Sequence, residues 1–145
     1  MDSIVASRIG LVVAVASMVT LVFRQSIFGV GAVAIGVQIA AAILMLWARL
    51  TFGGRSFHAS ADPTEGGLVT SGPYRYLRHP IYASIMYFLW AAALSHFSVL
   101  NTLLAVAATS GLLLRMYAEE RLVVERYPEY SSYAARTKRI VPFVF

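Results

Sequence analysis

The chain has 145 residues, 59% of them hydrophobic and only 13% charged, whereas an ordinary soluble domain carries roughly a quarter charged residues. With a mean hydropathy of +0.69 and apolar runs too long for the core of a soluble protein this size, lipid is the expected solvent. The net charge of +5 gathers at the ends of those runs and in the polar segments, which points to anionic membrane lipids and away from nucleic acid; the absence of cysteine excludes disulfides, thiolate metal sites and a cysteine nucleophile.

Taken in chain order, the first apolar run is Ile4 to Phe23, interrupted only by Arg8 and matching the ~20 residues of a spanning helix. Ala14-Val15-Ala16 has the form of a signal-peptidase site. Arg8 leaves too short an apolar stretch before it, however, and more apolar residues follow, so a spanning helix is the better reading. A second run, Ile27 to Leu50, comes after only Arg24-Gln25-Ser26, and the two are expected to form an antiparallel N-terminal hairpin over residues 1–50.

Thr51 to His79 is a polar segment with Pro63 and Pro73, a place for loop chemistry. Pro80 suits the first turn of a helix, where its missing N–H costs nothing, and Ile81 to Leu94 continues as an apolar stretch short for a full span. After Ser95-His96-Phe97-Ser98, a fourth run, Val99 to Leu114, continues as a charged helix through Arg126. Tyr127-Pro128 breaks it, and Glu129 to Lys138 reads as a short interfacial helix.

The expected fold is therefore an all-α integral membrane protein of about four membrane helices, forming a single domain over residues 1–145. Residues 51–145 hold most of the polar residues, with a loop and a C-terminal helical extension on one side. Placing the N-terminus, the 51–79 segment and the C-terminal stretch together puts eleven basic residues on that side and leaves only Arg24 on the other. The positive-inside rule then sets that side in the cytoplasm. Eleven of the twelve basic residues are Arg, and with abundant Ala and Val this suggests a GC-rich bacterial genome and an inner (cell) membrane location.

Two polar clusters reach the same face. The first runs from Gly67 through Leu68, Val69, Thr70, Ser71, Gly72, Pro73 and Tyr74 to Arg78, His79, Pro80, Ile81 and Tyr82. It offers permissive backbone, aromatic faces and His79 ahead of a helix N-terminus, a setting for a nucleoside and an anion. An interfacial aromatic belt is the competing account. The second comprises Arg115, Tyr117, Glu119, Glu120 and Arg121, then Glu125-Arg126-Tyr127-Pro128-Glu129-Tyr130 and Arg139-Ile140-Val141-Pro142. Arg115 and Glu119, four apart, share a helix face and can simply pair, yet charges emerging straight from an apolar span are functional candidates by default.

Arg78-His79-Pro80-x-Tyr82, preceded by Leu68 to Tyr74 and followed by Glu119-Glu120, resembles the isoprenylcysteine carboxyl methyltransferase family, whose wider group includes phospholipid methyltransferases. The similarity spans roughly residues 49–142, in the manner of a short bacterial-type member. It implies a multi-helix membrane enzyme that uses S-adenosyl-L-methionine, with a lipid or prenylated small-molecule substrate arriving sideways from the bilayer. The resemblance implies cofactor contacts at Gly67, Leu68, Val69, Tyr74, His79, Pro80, Ile81, Tyr82 and Glu119, and a substrate-binding Arg115. It further implies catalytic roles for Arg115, Glu119 and Glu120, with carboxyl O-methylation as the favoured reaction.

Where family members often carry Gly, this chain has Ser84, and Gly66-Gly67 replaces a more polar pair. The chain is also shorter than eukaryotic members. The rival readings are a membrane reductase of the sterol-reductase type and a non-catalytic lipid-binding protein; the first lacks a dinucleotide fingerprint, and the second leaves Arg115, Glu119 and His79 without a purpose. His58 and His96 have no metal-ligand spacing and read as interfacial polar residues. Trp47 and Trp90 read as belt or packing residues.

Overall fold

A computed structural model of the chain describes residues 2–54 and 66–145; His58 and Pro63 lie outside the described residues. The described chain is helical throughout: α1 (Ser3–Phe23), α2 (Ala32–Phe52), a 3-10 turn (Gly72–Arg75), α3 (Pro80–Ser95), α4 (Val99–Arg126) and α5 (Tyr130–Arg136). Helices α1, α2 and α4 are long and apolar enough to cross a bilayer, while α3 has 16 residues and is shorter. The protein is thus an all-α integral membrane protein whose apolar side chains, among them Val12, Val33, Ile39 and Leu103, face outward because lipid tails are as apolar as they are.

Local sequence chemistry sets the helix ends. The Asp2 carboxylate accepts the Ile4 amide at 3.1 Å at the start of α1, the Ser98 hydroxyl oxygen accepts the Asn101 amide at 3.1 Å at the start of α4, and Pro80 occupies the first position of α3. Helix α2 starts later than its apolar run, at Ala32 instead of Ile27. The reason is Gln38, whose side-chain oxygen accepts the Gly29 amide (2.8 Å) and whose nitrogen donates to the carbonyls of Ile27 (3.0 Å) and Phe88 (3.2 Å). Backbone groups outside a helix must find partners at membrane depth, and Gln38 provides them.

Helix pairing departs from the expected N-terminal hairpin. Helix α1 docks on α4 and α2 docks on α3, with α3 and α4 in contact between them, while α1 and α2 hardly touch. The buried face of α1 is Ala6, Ser7, Gly10, Ala14, Ser17 and Leu21, all small but the last and from Ser7 onward at three- and four-residue spacing, opposite Ala105, Ala108 and Gly111 of α4. A Cβ on Gly10 or on Gly111 would collide with the carbonyl oxygen of the other. Without a hydrophobic driving force between helices in lipid, such close backbone approach is what holds them.

At the Arg24 end, the Arg24 guanidinium donates to the Asn101 side-chain oxygen at 2.9 Å, and the Asn101 amide donates to the His96 carbonyl at 2.7 Å. The His96 ring nitrogen lies 2.8 Å from the Phe28 carbonyl. Asn101 is fully buried. This end is a closed polar knot; the opposite end carries the candidate chemistry.

Candidate active site

The segment after residue 66 is pinned to α2 before it reaches α3. At Gly72, φ is +55°, and a Cβ there would come within 2.6 Å of the Thr51 hydroxyl oxygen and 3.2 Å of the Trp47 indole nitrogen. Only glycine tolerates both the backbone and the contact. Tyr74, next in the turn, buries its ring 5.4 Å from that of Phe52, and its carbonyl accepts the Tyr133 hydroxyl of α5 at 2.7 Å. Residues 76–79 then run parallel to 138–139, with Arg78 N to Lys138 O at 2.7 Å, His79 N to Arg139 O at 3.0 Å and Lys138 N to Tyr76 O at 3.1 Å. The chain's two polar clusters are thereby joined backbone to backbone.

Two carboxylates project from adjacent positions of α4. Glu119 belongs to a ring of three side chains: Tyr82 donates its hydroxyl to Glu119 Oε1 at 2.6 Å, Arg115 Nε donates to the Tyr82 oxygen at 2.7 Å, and the same Nε lies 3.0 Å from Glu119 Oε1. The Arg115 side chain is 4% exposed and that of Glu119 19%, so this is not the weak solvent-exposed pair its spacing allows. Removing one partner of a buried pair leaves the other's charge uncompensated. Glu119 Oε2 takes no hydrogen bond among the described residues. His79 stacks on Tyr82 with ring centroids 5.6 Å apart and planes 15° apart, which extends the ring into an aromatic wall.

Glu120 is engaged from three segments. Its carboxylate receives Arg78 Nη1 at 3.3 Å, His79 Nε2 at 3.1 Å, Arg139 Nε at 3.2 Å and the Tyr130 hydroxyl at 3.3 Å. His79 therefore links the two groups: its face lies on Tyr82 and its Nε2 edge on Glu120. The Arg139 guanidinium also sits 5.1 Å from the Tyr117 ring centroid and 5.3 Å from that of Phe145, where the ring faces attract it. Burial pushes the Tyr74 and Tyr130 hydroxyls well above the usual tyrosine range and that of Tyr133 up to about 12, so all three remain hydrogen-bond donors at neutral pH.

Of the residues singled out in the sequence, the structure brings Arg115, Glu119, Glu120, His79, Tyr82 and Pro80 to one corner between the start of α3 and the charged end of α4. Gly67, with φ +78° and open space where a Cβ would stand, Leu68 and Val69 are partly buried in the approach to the 3-10 turn, and Ile81 is partly buried beside Tyr82. The Tyr74 ring packs on Phe52. Ser84 is buried and donates to the Ile81 carbonyl at 2.7 Å, a local bond within α3.

Sequence reasoning quoted Arg78, Tyr130 and Arg139 but gave them no role. Their meeting at Glu120 depends on the chain folding back after α5, and the one available signal was the paired basic character of Arg78-His79 and Lys138-Arg139. An open groove of about 520 Å³ borders Arg78, Glu120, Tyr117, Arg121 and Tyr130 on the outer side of α4, away from the Tyr82–Glu119–Arg115 ring. Among the described residues no group of three or more His, Cys, Asp or Glu side chains is placed to hold a metal ion.

Comparison with known proteins follows the same geography. The chain is similar to the cobalt-zinc-cadmium resistance protein CzcN of Cupriavidus metallidurans, 31% identical over 98 residues that make up 67% of this chain and 42% of that protein. It is also similar to the nickel-cobalt-cadmium resistance protein NccN of Alcaligenes xylosoxydans xylosoxydans, 33% identical over 100 residues, again 67% of this chain and 42% of the relative. The matched region is thus less than half the length of either relative. No solved structure matches the chain. Residues 24–130, from the Arg24 turn through the Tyr82–Glu119–Arg115 ring to the start of α5, match the phospholipid methyltransferase family, and the chain belongs to that family.

Proposed function

We propose that the chain transfers a methyl group from S-adenosyl-L-methionine to a lipophilic acceptor at the cytoplasmic face of a bacterial inner membrane, with a carboxylate as the preferred acceptor. The observation that carries this reading is the buried ring of Tyr82, Glu119 and Arg115, roofed by His79, in a member of a methyltransferase family. Among the described residues, the side of the bundle that holds it also carries ten of the eleven basic residues, which supports a cytoplasmic orientation.

The residues present fit the cofactor. Glu119 keeps Oε2 available to accept hydrogen bonds from ribose hydroxyls or an amino group, while Tyr82 and Arg115 fix its other oxygen. The aromatic faces of Tyr82 and Tyr74 favour a neighbouring cation. On this reading His79, Pro80 and Ile81 would form one wall of the cofactor site, and the backbone of Gly67, Leu68 and Val69 a second. When bound, S-adenosyl-L-methionine supplies the electrophilic methyl group.

Arg115 is the residue this reading assigns to the acceptor carboxylate. An ionised carboxylate is already a nucleophile, so the protein's task is alignment and exclusion of water. Glu120 has four donors on its carboxylate, and its role is to position His79 and the 138–140 segment. An amine or thiol acceptor would instead need a base, and His79 faces the ring where a proton would leave.

Calorimetric titration of the detergent-purified protein with S-adenosyl-L-methionine and with S-adenosylhomocysteine tests this directly. Saturable binding that is lost in Glu119→Ala and His79→Ala, with folding checked by circular dichroism, is the expected result. No binding by folded protein in the presence of lipid rules the proposal out.

A further inference from the structure

We propose that the turn Val141–Phe145 is a membrane anchor, set into the boundary between headgroups and acyl chains beside the candidate site. After leaving the membrane through α4 and crossing α5, the chain returns to the helices. The Tyr87 hydroxyl donates to the Ile140 carbonyl, and the Ile140 side chain packs against the cluster of Ala14, Met86 and Leu112 from α1, α3 and α4. Tyr87 lies seven residues into α3, about 10 Å along its axis, and Leu112 lies within the apolar run of α4. The chain is therefore held at a depth where the helices present apolar side chains outward.

The turn that follows closes on itself through backbone bonds. Ile140 and Val141 both donate their amides to the Phe145 carbonyl, at 2.8 and 2.7 Å, and Val144 and Phe145 both donate to the Val141 carbonyl, at 3.2 and 3.1 Å. Pro142 has no amide hydrogen to satisfy. These bonds reduce the number of backbone groups that need water, which suits a turn at the hydrated headgroup boundary and not in the hydrocarbon itself. The side chains point the other way: Phe143 is 85% exposed and Val144 73% exposed, which suits apolar side chains meeting lipid. Lys138 and Arg139 precede the turn, as basic residues do at the edge of an anionic surface.

The occupant of this surface is the bilayer and not a second copy of the chain. Through Ile140 the turn is tied to the apolar stretches of α1, α3 and α4, and basic residues stand at its base. Its effect on the site runs through one residue. Arg139 is held by Glu120 on one side and by the Phe145 ring on the other, so a turn fixed in the membrane keeps Arg139 against Glu120 and Glu120 against His79.

The absence of cysteine allows a clean test in the full chain. Phe143→Cys and Val144→Cys, each carrying a nitroxide label, are reconstituted in liposomes containing anionic lipid, with Ser131→Cys on the exposed face of α5 as the aqueous reference. Electron paramagnetic resonance saturation then compares collision with oxygen, which concentrates in lipid, and with a water-soluble nickel chelate. Oxygen exceeding the chelate at 143 and 144, with the reverse at 131, is expected. A label at 143 and 144 as open to the chelate as at 131 overturns the proposal, and so does one shielded from both reagents, which would indicate protein contact. No cofactor is present, so the result is independent of methyl transfer.

Discussion

Glu119 and Glu120 are neighbours on one helix and live in different worlds. Successive side chains on an α-helix point about 100° apart, so Glu119 turns toward Tyr82 of α3 while Glu120 turns toward the 78–79 and 139 segments. Glu119 shares one oxygen with a tyrosine and an arginine; Glu120 is engaged by four donors. A carboxylate fully surrounded by donors organises its neighbours, whereas one with an open lone pair can meet something new. The resemblance gave the cofactor contact to Glu119 and not to Glu120, and geometry supplies a physical reason for the difference.

The sharpest way to break this contrast is Glu120→Ala. It strands Arg78, Arg139 and His79 around an empty position, and a loss of about 3–5 kcal/mol in unfolding free energy is expected, read as a lower thermal midpoint in detergent. If Glu120→Ala unfolds like the parent, Glu120 is not the organiser. Glu119→Gln retains an acceptor for Tyr82 but removes the charge; cofactor affinity should fall roughly 10- to 100-fold, or about 1.4–2.8 kcal/mol, by calorimetry, with stability lowered less than in Glu120→Ala.

Asn101→Ala, at the far end, tests whether the two ends are separable. It removes the partner of Arg24 and His96 and should lower stability by about 1–3 kcal/mol while leaving cofactor affinity unchanged. A changed affinity would show that the distant knot reaches the site. Tyr133→Phe, which releases the Tyr74 carbonyl, should cost about 0.5–1.5 kcal/mol in a denaturation titration, the smallest effect of the series.

Much of this architecture was legible in the letters. Apolar length located α1 and α4 closely, Pro80 marked the start of α3, and the charged continuation through Arg126 set the end of α4. The start of α2 was not legible, because Gln38 satisfies the irregular backbone before it through contacts to Ile27, Gly29 and Phe88 that no propensity encodes. The pairing of α1 with α4 was also missed: an apolar run does not declare its neighbour, although the small-residue spacing of Gly10 and Ala14 was there to be read. At the site, motif spacing brought out His79, Tyr82, Arg115 and Glu119, whose meeting needs only adjacent α3 and α4. The convergence of Arg78, Tyr130 and Arg139 on Glu120 needs the chain to reverse twice, and reversal is a tertiary event.

One helix, α4, carries both ends of this protein. Asn101 is locked by Arg24 and bonds back to His96 at one surface, and Glu119 is locked by Tyr82 and Arg115 at the other. They are 18 residues apart, about 27 Å along the axis and close to the ~30 Å thickness of the hydrocarbon. A cylinder keyed at both ends has no torsional freedom: turning α4 by a single residue would unseat both locks at once, so its azimuth within the bundle is fixed by polar bonds even though the surface between them is greased with alanine, valine and leucine.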